Sequence, residues 1–110
     1  MDPRKERIAR NEAAFRALNE SLHAHVHGDL GGHSARTGFV CECAQVQCTD
    51  IVTVDLARYE QIRRDPMLFF VVPGHQLPES EDVVDRGDGH LIVRKHEEVR
   101  RVVEETDPRS

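Results

Sequence analysis

Three cysteines fall in one short stretch, Cys41-Glu42-Cys43-Ala44-Gln45-Val46-Gln47-Cys48, and the chain has no others. An odd number of clustered thiols cannot all pair as disulfides, and in a reducing compartment such a group suits a metal ion. Alternate residues of a strand share a face, so Cys41 and Cys43 point one way and Glu42 the other. On a flat strand those two sulfurs are too far apart for one tetrahedral ion. The backbone must bend at Cys43, and the loop 44–47 then returns Cys48 to the same point. Three thiolates repel one another unless a cation neutralises them, and Zn²⁺ accepts three Cys and one His with bonds of ~2.0–2.3 Å.

A closed site needs a fourth ligand, and His33, Asp50, His75 and His90 carry suitable donors. His75 is preferred. It follows Pro73-Gly74, where proline restricts the backbone and glycine permits a sharp turn, so the imidazole stands on a rigid corner. If the strand 67–72 runs beside the cysteine hairpin, that corner reaches the knuckle. His33 lies among glycines, and His90 opens a separate hairpin. The expected metal site is therefore Cys41, Cys43, Cys48 and His75, with zinc as the cofactor.

The competing reading is that the cysteines pack as small apolar side chains. A third option, an iron–sulfur cluster, fails on spacing. Some [2Fe–2S] domains follow the last Cys with Asp-Gly-Ser-His, whereas here Cys48 precedes Thr49-Asp50-Ile51-Val52.

Other groupings point to structure. His23 and His27 share a helix face at four-residue spacing, but no carboxylate sits within the trio at Glu-x-x-His spacing, and with His25 they suit a solvated helix end. Glu79, Glu81, Asp82 and Asp85 lack calcium-loop spacing and read as a solvated acidic loop. The serines sit on no nucleophile elbow, and Gly28–Gly32 lacks the lysine of a phosphate loop. No catalytic residue is assigned.

The elements that must position the site are legible in outline. Residues 1–27 form an N-terminal amphipathic helix, helical from Pro3, with Ile8, Phe15, Leu18, Leu22 and Val26 as its buried stripe and Asn11 as an interruption. That stripe must pack on the rest of the domain, with a homodimer through this helix as the alternative. Residues 28–38 are a flexible connector by composition. From 39 to 105 the pattern predicts a metal-binding α+β domain. Two short strands, 38–43 and 49–54, flank the cysteine turn. Asp55 caps a helix over 56–64 whose buried side is Leu56, Tyr59, Ile62 and Arg63. Met67–Val72 is a buried strand, 82–86 and 90–95 form a hairpin around Gly87-Asp88-Gly89, and a helix covers 96–105. Residues 106–110 are a frayed tail. The predicted fold is α+β: an N-terminal helix, then a small zinc-stapled sheet with two further helices.

Composition sets limits. The 110 residues fit one domain, and with 38 % apolar residues and no Trp its core is modest. The net charge of −5 argues against a nucleic-acid partner, and Arg4, Lys5, Arg7 and Arg10 read as a solvated helix face. No apolar run suits a membrane span or a signal peptide, so a cytoplasmic location is expected. Thirteen arginines against two lysines suggest a GC-rich bacterial genome.

The pattern Val40-Cys41-Glu42-Cys43, Cys48-Thr49, Tyr59-Glu60, Ile62-Arg63 and Pro73-Gly74-His75 resembles a group of small uncharacterised actinobacterial proteins. The likeness includes a first helix of the type Asn11-Glu12-Ala13 with Phe15-Arg16 and Asn19-Glu20, and a close near Asp107-Pro108-Arg109. It implies that Cys41, Cys43, Cys48 and His75 act as one constellation, and it implies no activity. The functional expectation is a small cytoplasmic zinc-binding protein, a non-enzymatic module acting through an unidentified protein partner. The alternative is a metal-dependent enzyme or thiol redox sensor at the same cysteines.

Overall fold

A computed structural model describes residues 2–30, with side chains to 24, and 36–109. The connector residues 31–35 with His33, and the side chains of His25, Val26 and His27, lie outside the described residues. The chain is an α+β fold. Helix α1 (Pro3–Leu30) leads into a hairpin, β1 (Arg36–Val40) and β2 (Ile51–Asp55). Then follow α2 (Leu56–Arg63), β3 (Leu68–Val71), β4 (Glu81–Gly87), β5 (His90–Lys95), a 3₁₀ turn (Glu97–Val99) and α3 (Arg100–Glu105). β1 pairs antiparallel with β2, and a second antiparallel sheet has the order β3-β5-β4.

Local chemistry explains most of these boundaries. Asp55 caps α2 by accepting the Arg58 N–H at 2.8 Å, and the expected residues Leu56, Tyr59, Ile62 and Arg63 face inward. Gly89 takes a φ of 76°, which lets the β4–β5 turn close tightly. A 3₁₀ turn precedes the last helix, and His96 supplies no side-chain cap to it.

The core lies between the two sheets and the helices. Phe39 of β1 stacks on Tyr59 of α2 at 4.3 Å, and both meet the edge of Phe70 on β3 at about 6 Å.

Helix α1 keeps part of its predicted stripe, with Ile8 buried and Leu22 packed on the core, and departs from it at Phe15 and Leu18. Leu18 is 46 % exposed and Phe15 half-buried, while Ile8, Ala9, Glu12, Ala13, Arg16 and Asn19 are buried. The helix docks on a largely polar face, because each buried polar side chain meets a partner elsewhere in the fold. Lys95 pairs with Glu12 at 2.5 Å. Arg16 donates to the carbonyls of Pro66 (2.6 Å) and Val103 (2.8 Å) and lies over the Phe69 ring. Polar groups that find partners cost less to bury, although Glu12 Oε2 and Arg16 Nε are left without a hydrogen bond, so hydropathy alone misplaced part of the face.

Two other expectations change. The tail is held rather than frayed as far as Arg109, whose guanidinium spans Glu20 and Glu60 and lies over Tyr59. The acidic loop is solvated at Glu79, Asp82 and Asp85, as expected, but each also has a partner, and Glu81 is buried. Glu79 meets Arg4, Asp82 meets His96, Asp85 meets Arg58, and Glu81 is buried against Lys95 at 3.1 Å. The basic residues Arg4 and Lys5 are spent on such pairs, Lys5 with Glu98.

Candidate metal centre

The cysteine segment begins where β1 ends. Cys41 still bonds across the hairpin, its N–H donating to Asp50 O at 3.0 Å, and then the chain bends. A turn closed by Cys48 N–H on Gln45 O at 2.9 Å brings Cys48 back toward Cys41 and Cys43. This is the knuckle that the CxC-x4-C spacing requires.

His75 arrives from the other sheet. β3 pairs with β5 through Leu68↔Arg94 to Val71↔Leu91, so its ladder partner is not the cysteine hairpin. Its free edge nonetheless faces the cysteine segment, with Glu42 N–H donating to Phe70 O at 3.0 Å. One bond and a shared edge do what a full ladder was expected to do. Beyond β3 the turn Val72-Pro73-Gly74-His75 is closed by His75 N–H on Val72 O at 2.9 Å. Gly74 has φ 98°, the positive angle that the third residue of a type II turn demands.

The result is a four-residue cluster. One ligand atom each from Cys41, Cys43, Cys48 and His75 lies within 4.8 Å of all the others, a group that could hold a metal ion. His75 turns Nδ1 toward the sulfurs, 3.5 Å from Cys41 Sγ and 3.6 Å from Cys48 Sγ. Its Nε2 faces Asp50 Oδ2 at 3.4 Å. A carboxylate behind a ligating imidazole fixes the ring and raises its basicity. Asp50, weighed as a ligand from the sequence, therefore stands behind His75 rather than in the cluster. His90 is buried against Gly87 in the β4–β5 hairpin and is no part of the group. His23 stacks on Tyr59 and pairs with Glu60 at 2.9 Å.

Cys41 and Cys43 are 1 % exposed, whereas Cys48 and His75 are half-buried. Burial pushes the Cys41 thiol up, and the neighbouring Cys43 and Cys48 add to this, against the pull of the Val72 N–H at 3.2 Å from its sulfur. Burial raises the Cys43 thiol too, opposed by the Gln45 N–H. Without a cation these thiols hold their protons, and a bound metal must displace them.

Sequence reasoning missed the polar residues behind the knuckle. Glu42, pointing away from the ligands as expected, is fully buried, and burial pushes its carboxyl up to about 7. It accepts from Asn19 Nδ2 at 2.9 Å and from the Phe70 N–H at 3.3 Å. Asn11, the residue that interrupts the α1 stripe, donates to Ala44 O in the cysteine loop at 3.1 Å. A polar residue between two same-facing ligands was the available signal, since its face had to be the core.

No helix among the described residues is long and apolar enough to cross a membrane. No family model, curated protein or solved structure matches the chain, so the geometry of the cluster alone carries its chemistry.

Proposed function

We propose that the protein binds one zinc ion through Cys41, Cys43 and Cys48 and through Nδ1 of His75, and that it works as a protein-interaction module rather than as an enzyme. The carrying observation is the pair of sulfur–nitrogen separations. In a tetrahedron with zinc's usual bond lengths the S···N edge is about 3.6 Å, and His75 Nδ1 lies 3.5 Å from Cys41 Sγ and 3.6 Å from Cys48 Sγ. Softness agrees, because thiolates with imidazole favour zinc over magnesium or calcium.

Four protein ligands leave no open position for substrate, which is the mark of a structural site. The ion would join a β1–β2 hairpin to the end of β3, two parts that the described backbone links by a single hydrogen bond at Glu42. Free thiols fit a reducing, cytoplasmic setting. The contact surface includes Leu18 on α1, exposed beside half-buried Phe15.

Elemental analysis of reduced, tag-free protein tests this reading. One zinc per chain is expected. A folded protein without metal would return the cysteines to the role of packing residues, and a brown protein with visible absorbance would replace zinc with iron.

A further inference from the structure

We propose that Asn19 and Glu42 are positioning residues of the metal centre, fixing the segment that carries Cys41 and Cys43 against the strand that leads to His75. The proposal rests on the zinc reading above and assigns helix α1 a part in it.

Asn19 lies on α1, far from the cysteines in sequence, and is completely buried. Its side-chain amide behaves like a peptide unit of a neighbouring strand. Nδ2 donates to Val40 O at 2.8 Å, and Oδ1 accepts the Val40 N–H at 2.8 Å. Both polar groups of the residue before Cys41 are thus held by one side chain. The same Nδ2 reaches Glu42 Oε2, so Asn19 grips the chain on both sides of Cys41.

Glu42 carries the constraint across to β3. Its backbone N–H donates to Phe70 O and its carboxylate accepts the Phe70 N–H, so residue 42 brackets the Phe70 unit from one side. Two residues on, the Val72 N–H points at Cys41 Sγ, and the Pro73-Gly74 turn then delivers His75. The path Asn19–Glu42–Phe70 therefore sets the register between the sulfur side and the nitrogen side of the site. A purely apolar core could slide here, whereas directional bonds cannot without leaving buried groups unpaired.

Arg16 supplies the control. It lies on the same helix, is equally buried, and bonds to Pro66 O and Val103 O, with no hydrogen bond to the knuckle, which it reaches only through its charge on Glu42. If Asn19 were only an anchor for α1, losing Arg16 would harm the site just as much.

The experiment measures zinc affinity by competition with a chromophoric chelator, and the Co²⁺ visible spectrum, for the full chain and for Asn19→Ala, Asn19→Ser and Arg16→Met. Urea unfolding of each metal-free protein runs alongside, and Asn19→Ser serves where Asn19→Ala folds poorly. The Asn19 variants should lose about 10- to 100-fold in zinc affinity, the usual effect of removing an outer-shell partner, with a changed Co²⁺ band shape. Arg16→Met should lose stability yet lose far less zinc affinity than the Asn19 variants, because it reaches the site only through its charge on Glu42 and not through a directional bond. Because coupling is reciprocal, zinc should increase amide-exchange protection around Asn19 in the wild type and not in the variants. Equal affinity losses in the Asn19 and Arg16 variants would overturn the proposal while leaving the zinc reading intact. A wild-type chain that takes up neither Zn²⁺ nor Co²⁺ would instead remove the zinc reading, and this one with it.

Discussion

Lys95 Nζ lies 2.5 Å from Glu12 Oε1, and neither side chain is exposed to solvent. Glu81, paired with Lys95 across β4–β5, completes a buried triad of one cation and two carboxylates. Burial and the nearby Glu81 push the Glu12 carboxyl well up, against the pull of Lys95. The triad ties α1 to the second sheet, and its cation is the member that cannot be spared. Lys95→Met should cost about 3–5 kcal/mol at pH 7, the usual result of leaving buried charge without its partner. Glu12→Gln should cost less. Urea unfolding measures both, and the Lys95→Met deficit should shrink at acid pH, where protonation of the already raised Glu12 carboxyl removes its buried charge. A loss below about 1 kcal/mol would class the triad with ion pairs of no net value.

Zinc removal separates the two halves of the fold. Chelation should lower the unfolding midpoint and increase amide exchange over residues 39–75, while α1 keeps its helical circular dichroism. Cys43→Ser should abolish stoichiometric zinc and show the same exchange pattern without a chelator, because a hydroxyl is a poor replacement for a thiolate. Undiminished zinc content in that variant would rule out Cys43 as a ligand.

Gly74 tests the corner that presents His75. A Cβ built there meets no atom within 4 Å, so substitution acts through the backbone alone, at φ 98°. Gly74→Ala should destabilise the metal-free protein by about 1–2 kcal/mol. Its zinc affinity should fall as well, because the turn relaxes and carries Nδ1 away from the sulfurs. Pairing urea unfolding with zinc competition distinguishes the two effects. A stability loss with unchanged affinity would mean that the imidazole is held by Asp50 and not by the turn.

Acid should loosen the packing of the tail. Burial raises the Glu20 carboxyl, but bonds from Arg109 and Tyr59 and the charge of Arg63 outweigh it, leaving Glu20 below the usual range. A carboxylate with a depressed folded value stabilises fully above its unfolded value of about 4.3, and the contribution disappears as pH falls through the folded value. The unfolding midpoint should therefore hold between pH 7 and 5 with respect to this group and fall below about pH 4. Glu20→Gln should flatten that acid limb. An unchanged limb in the variant would place the acid sensitivity elsewhere, with Asp65 and Asp107, also lowered, as the next groups to replace.

Local rules made much of this protein legible. The Asp55 cap, the Gly87–Gly89 turn and the buried side of α2 follow from neighbours a few residues apart. The knuckle does too, since CxC-x4-C can bring its sulfurs together only by bending. Even the His75 corner was readable, because Pro-Gly restricts the backbone whatever surrounds it.

What tertiary structure alone decided is which polar side chains go inside. Hydropathy assigned the buried stripe of α1 to Ile8, Phe15, Leu18, Leu22 and Val26, and it marks none of Glu12, Arg16, Asn19 and Glu42 for burial. Their partners, Lys95, Val103, Val40 and Phe70, lie up to 87 residues away, and a polar group is cheap to bury only once such a partner is in place. Sequence spacing carries no record of those meetings. It therefore identified the four ligand candidates, while the fold decided that Nδ1 of His75 faces the sulfurs, that Asp50 stands behind the ring, and that Asn19 and Glu42 hold the knuckle in register.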